Sequence, residues 1–100
     1  MVVDLPGVEH PERIWVLGGH FDTNSEIPYT SAPGADDNGT GTASVMAAVE
    51  LLKNYRFADT IRFVHFSGEE QGQWGGQVYA RDLRLAGMQV PGFINLDMFG

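Results

Sequence analysis

Thr60-Ile61-Arg62-Phe63-Val64-His65-Phe66-Ser67-Gly68-Glu69-Glu70 is the stretch that decides the fold. Up to Phe66 it is rich in β-branched and aromatic residues on both side-chain parities, as expected of a strand covered on both faces in a parallel sheet. Ser67-Gly68 closes the strand, and two adjacent carboxylates follow at once. Working upstream, Val2 to Leu5 reads as a short strand, Pro6-Gly7 as a turn, and Arg13 to Leu17 as a second strand running into Gly18-Gly19. His20 is placed just past that strand's end.

Residues 21–39 carry Asn24, Pro28, Pro33, Gly34 and Gly39, which predicts a long loop of the length usually kept for function. A helix is predicted to follow, with Thr40 or Thr42 as N-cap, Val45, Ala48, Val49 and Leu52 on one face, and an end near Asn54. Downstream, Trp74 to Leu85 reads as a second helix and Gly92 to Leu96 as another buried strand, ending at Asp97. The order β, β, loop, α, β, α, β gives an α/β class, a mainly parallel or mixed sheet flanked by helices.

The chain has 100 residues, enough for one domain; a domain of that size buries roughly 60 to 70% of its unfolded surface. With 43% hydrophobic and 19% charged residues the composition is globular rather than disordered. A formal charge of -7 speaks against nucleic acid or an anionic membrane surface as partner. Part of the acidic excess falls inside Gly-rich loops beside apolar runs, where metal ligands are a better reading than a solvated face. Two divalent ions would offset about four of those charges. The absence of cysteine removes disulfides, thiolate zinc sites and cysteine nucleophiles together. No apolar run approaches the ~20 residues of a membrane span, and Met1 to His10 has neither the basic head nor the apolar stretch of a signal peptide.

Ligands of open α/β sheets bind outside the carboxyl ends of the strands. His20 and Asp22 follow one such end, Glu69 and Glu70 the next and Asp97 the last, while Asp36-Asp37 lie in the loop that opens a helix. One imidazole with several carboxylates suits zinc, and a carboxylate bridging two ions ~3.5 to 4 Å apart is a known hydrolytic arrangement. Water polarised there would lose its proton to a nearby free carboxylate and attack a peptide carbonyl. Adjacent glutamates suit that division, because one can bind metal while the other serves as base.

Four motifs then stand out: His20-Phe21-Asp22, the run Pro33 to Gly41, Phe66-Ser67-Gly68-Glu69-Glu70-Gln71-Gly72, and Asn95-Leu96-Asp97-Met98. Together they resemble the zinc aminopeptidases of the bacterial leucyl aminopeptidase type, in the metallopeptidase family that also includes glutamate carboxypeptidase II. The resemblance implies a zinc-exopeptidase (phosphorylase/hydrolase-like) fold and a peptide substrate. It implies that His20 and Asp97 bind one zinc, Glu70 the other, that Asp37 bridges them, and that Glu69 is the general base. Asp22 would fix the ring of His20, and the peptide bond between Asp37 and Asn38 would be cis. The family's second histidine ligand lies far toward its C-terminus and has no counterpart here, since His10 and His65 are poor substitutes. The expectation is therefore a segment, residues 1–100, of a longer catalytic domain, inactive by itself; the family is often secreted or periplasmic.

Simpler readings weigh against some of these residues. His65 shares a strand face with Ile61 and Phe63 and reads as a core histidine with a bonded ring. Trp74 reads as packing rather than as pocket wall, and Asp36 as a loop-stabilising neighbour. A calcium loop counted from Asp36 fails, because Ala47 stands where a bidentate glutamate is needed. Asn38-Gly39-Thr40 is formally a glycosylation sequon, but its place beside the carboxylates argues against modification. Rival functions are a carboxypeptidase or single-zinc glutaminyl cyclase of the same fold, and a non-catalytic binding module that has lost its metals. Residue preference, native metal and oligomeric state are not written in these motifs.

Overall fold

The β-branched run forms the strand expected of it, Asp59–Phe66, and that strand is paired on both sides. In the computed structural model, which describes residues 1–99, the elements are β1 (Val2–Leu5), β2 (His10–His20), α1 (Gly39–Leu52), β3 (Asp59–Phe66), α2 (Trp74–Leu85) and β4 (Gln89–Asn95). The sheet has four strands in the order β1-β3-β2-β4. β2 runs parallel to both β3 and β4, while β1 lies antiparallel against β3. The sheet is thus mixed, with its reversed strand at one edge.

β2 is longer than the span Arg13 to Leu17, and His20 is its last residue rather than the one beyond it. The Gly18-Gly19 pair does not end the strand, because Gly18 is paired with Val64 on one side and Asn95 on the other. Among the described residues β4, expected as buried, pairs with β2 alone, and its Phe93 and Ile94 are 52% and 59% exposed. Apolar composition records what a strand would bury, not whether a neighbour covers it.

Successive residues of a strand point to opposite faces. Phe66 meets Tyr79 of α2 edge-on at 5.5 Å, whereas the His65 ring bonds the Thr42 carbonyl of α1 at 3.1 Å. The helices therefore flank the sheet. Ile14, Val16 and Val64 form the buried cluster on the α2 face, and Val45 is the buried apolar anchor of α1. His65 is the buried, bonded core histidine its strand position implied.

Two local expectations are corrected. The N-cap of α1 is Asn38, not Thr40 or Thr42: its side chain accepts the Gly41 N–H at 3.0 Å. Asx residues cap helices because a short side-chain oxygen reaches the unsatisfied N–H groups of the first turn. Trp74 is 68% exposed rather than packed, held by its indole N–H donating to the Gln71 carbonyl at 2.7 Å. Among the described residues no helix is long and apolar enough to cross a membrane.

Candidate metal centre

Strand register assembles the polar groups. Gly18 lies opposite Asn95 and His20 opposite Phe66, so Asp97, two residues past Asn95, comes level with His20. The turn after β3 brings Glu69 and Glu70 to the same rim, and the loop before α1 brings Asp37. The Asp37-Asn38 peptide bond is cis.

His20 is buried, 3% exposed. Its Nδ1 lies 3.0 Å from the Asp22 carbonyl oxygen. A ring that donates there presents a bare lone pair at Nε2. That nitrogen faces Asp37 Oδ1 at 3.2 Å, Asp97 Oδ1 at 3.5 Å and Glu69 Oε2 at 4.0 Å. One ligand atom each from His20, Asp37 and Asp97 lie within 4.8 Å of one another. Glu70 stands outside that trio, and the charges of Asp37 and Glu69 both act on its carboxyl.

Asp22 acts through two groups. Its carbonyl holds the His20 ring, whereas its carboxylate, 3.7 Å from Nδ1, accepts the backbone N–H groups of Glu69 and Glu70 at 3.2 Å each. The side chain expected to orient the imidazole lies beside it and also ties the Glu69-Glu70 turn to the segment just past β2. Asp36 is a loop neighbour as expected: Thr40 Oγ1 donates to its carbonyl at 2.9 Å and to its carboxylate at 3.1 Å.

Electrostatics at the rim are one-sided. Among the described residues the ion pairs of lysine and arginine join Arg13 to Asp59, Lys53 to Glu50, Arg62 to Asp4 and Arg81 to Asp82. None reaches Asp22, Asp37, Glu69, Glu70 or Asp97. Burial lowers the His20 pKa, but the hydrogen bond to the Asp22 carbonyl and the charges of Glu69, Asp97 and Asp22 outweigh it, leaving the imidazole above its ordinary 6.5. The Glu70 carboxyl is pushed up, first by desolvation and then by Asp37 and Glu69, against the pull of His20 and an Asn24 backbone hydrogen bond.

The donor set fits a zinc ion. Nε2 and the carboxylate oxygens are all acceptors, so their convergence is unfavourable until a proton or a cation lies among them. A nitrogen and two carboxylate oxygens leave coordination positions open, as a hydrolytic zinc requires. Neither His10, exposed at the far start of β2, nor His65, bonded to Thr42, adds a second imidazole.

Two residues at this site were not singled out as part of it from sequence. Thr42, taken as a cap, instead donates its hydroxyl to the His20 carbonyl at 3.0 Å. Asn38, 2% exposed, has its amide committed to backbone partners, which leaves no room for a glycan. The signal for Asn38 was present: an Asx directly before Gly-Thr-Gly at a helix start is a capping pattern. Beside the cluster a cleft of about 490 Å³ opens under α2, with His20, Glu69, Gln73 and Asp97 at its polar end and Tyr79 and Phe93 among its apolar walls.

Residues 1–100 match the family described as Peptidase family M28. A probable zinc metalloprotease of Pyrenophora tritici-repentis is 37% identical over all of this chain, which covers 24% of that protein. A probable leucine aminopeptidase of Arthroderma otae is 38% identical over 96% of the chain, covering 28% of the relative. The chain thus spans about a quarter of the length of these curated relatives. Among solved structures, the Legionella pneumophila LapA aminopeptidase matches 87% of the chain and 22% of its own at a TM-score of 0.73 and 31% identity. A glutaminyl cyclase of an Acidobacteriales bacterium superposes on 99% of the chain and 37% of its own at a TM-score of 0.81, and at 23% identity it attests to the fold alone.

Proposed function

The chain belongs to Peptidase family M28, and from that premise we propose that its protein is a zinc-dependent aminopeptidase whose metal-holding rim lies within residues 1–100. The observation that carries the proposal is the His20 Nε2 lone pair facing Asp37 and Asp97 oxygens at 3.2 and 3.5 Å with no basic side chain among them. His20 and Asp97 would hold one zinc, Asp37 would be shared with a second site, and Glu70 would begin that second site, which would take a further imidazole from elsewhere in the full-length protein. Residues 1–100 are one part of a single catalytic domain, inactive alone.

Bound zinc supplies Lewis acidity, polarising the scissile carbonyl and acidifying water. Glu69, 4.0 Å from Nε2 and outside the trio of closest ligands, is left free as general base. Its carboxylate takes a proton from the attacking water as the C–O bond forms, and delivers it to the leaving nitrogen as the C–N bond breaks. Asp22, by holding the N–H groups of Glu69 and Glu70, keeps the base and the ligand on their separate headings.

Charge favours the amino end of a substrate over the carboxyl end. Asp22, Asp37, Glu69, Glu70 and Asp97 carry five negative charges; two zinc ions would offset about four of them, leaving the rim slightly negative before His20 is counted. Such a rim attracts a peptide's terminal ammonium. The names of the leucine aminopeptidase relative and of LapA point the same way. The intact acceptor set argues against a binding module that has lost its metals.

The test is metal analysis of the full-length protein together with cleavage of peptides blocked at one end or the other. Bound zinc with turnover only of peptides carrying a free amino end supports the reading. A folded protein that takes up no zinc, or one that cleaves only from the carboxyl end, overturns it.

A further inference from the structure

We infer that Asn38 is a positioning residue that sets the separation of the carboxylates of Asp37 and Asp97; the inference rests on the metal reading above. Asn38 is 2% exposed, among the most deeply buried side chains described. Its Nδ2 donates to the Leu96 carbonyl at 2.9 Å, and its Oδ1 accepts from the Gly41 N–H at 3.0 Å and the Met98 N–H at 3.4 Å. Leu96 and Met98 are the two neighbours of Asp97, so one amide grips the backbone on both sides of that carboxylate. Asp37 is the residue next to Asn38 itself. The same amide caps α1 and so anchors the loop that carries Asp37.

The clasp accounts for the small residues around it. A Cβ at Gly41 would collide with both Asn38 Oδ1 and the Leu96 carbonyl oxygen. A Cβ at Gly19 would lie 2.7 Å from the same carbonyl oxygen and 3.3 Å from Asn38 Nδ2. Only an amide serves all the partners, because Leu96 needs a donor while Gly41 and Met98 need an acceptor. Serine at this position can still cap the helix, but it is too short to reach Leu96 as well. Asn38→Ser therefore separates clasping from capping, and Asn38→Ala removes both.

The experiment measures zinc dissociation constants of the full-length protein by competition with a chromophoric chelator, alongside melting of the metal-free form. Asn38→Ser is expected to weaken the zinc site of His20 and Asp97 ~10- to 100-fold, the range for loss of a residue that holds a ligand in place, and Asn38→Ala at least as much. Gly41→Ala, which forces the clasp apart while leaving the amide, is expected to act in the same direction. Val45→Ala destabilises α1 from its buried face away from the rim and serves as the control, its zinc affinity unchanged even where its melting temperature falls further. Wild-type affinity in folded Asn38→Ser and Gly41→Ala would overturn the inference, as would an equal loss of affinity in Val45→Ala. Failure of the unmutated protein to bind zinc would instead remove the metal reading beneath it.

Discussion

The two helices both begin just after proposed ligands, yet their first turns are held in opposite ways. α1 starts behind Asp37 with Asn38 as a buried cap, and it sends Val45 into the core. α2 starts behind Glu69 and Glu70 with Gln73 at φ 60° and no side-chain cap, and none of its residues is buried. What steadies the approach to α2 is Asp22, reaching across 47 and 48 residues of sequence to the Glu69 and Glu70 N–H groups. One carboxylate-bearing turn is fixed by its own neighbour and the other by a residue just past the end of a distant strand. A site assembled this way should respond differently when each tether is cut.

The largest effect is expected in the loosely anchored turn. Glu69→Gln keeps the side chain's shape but cannot take a proton, so peptide hydrolysis by the full-length protein should fall ~10²- to 10⁴-fold with zinc content unchanged. Loss of zinc in that variant would place Glu69 among the ligands and erase the division between the adjacent glutamates.

A smaller effect tests the tether. Asp22→Ala removes the carboxylate that binds the two N–H groups but keeps the carbonyl that holds His20, so zinc affinity should drop ~10- to 100-fold at the site Glu70 begins. Affinity at the site of His20 and Asp97 should fall less, by the loss of the Asp22 charge 3.7 Å from Nδ1. Equal loss at both would show that the two helix starts are not independent.

The smallest effect reads the rigid half through pH. The His20 pKa stands above 6.5, so protons compete with zinc at a higher pH than for an ordinary imidazole, costing up to about tenfold in affinity per unit below that raised value. In the metal-free protein the sign reverses: a raised folded pKa contributes stability that is full below the unfolded value and is lost as pH rises through the folded one. The gap in melting temperature between wild type and His20→Gln should therefore shrink on going from mildly acidic to alkaline pH. A gap that stayed constant would show that the imidazole does not titrate against the rim.

Element types were legible because local signals were strong and mutually consistent. The β-branched run from Thr60 to Phe66 and the span Trp74–Leu85 emerge within a residue of their expected bounds. The start of α1 was misplaced because Thr40 and Thr42 compete with Asn38 as cap formers, and only the buried contact with Leu96 decides among them. The exposure of Phe93 and Ile94 among the described residues was illegible for a different reason: apolar side chains look the same whether or not a neighbour covers them. As for the site, the sequence placed its candidates at strand ends, but their mutual distances depend on the register of Gly18 against Asn95, a cross-strand fact with no local signature. The use of Asp22's carboxylate for backbone N–H groups as well as beside the ring was likewise beyond sequence, since both partners lie within reach of one short side chain.

The register of β4 against β2 has one more result. A slip of two residues in that ladder would carry Asp97 roughly 7 Å along the sheet, out of step with His20. A cation gripped by both residues would rivet neighbouring strands together at their ends, so that the ion chosen for chemistry would also keep the two strands from sliding past each other.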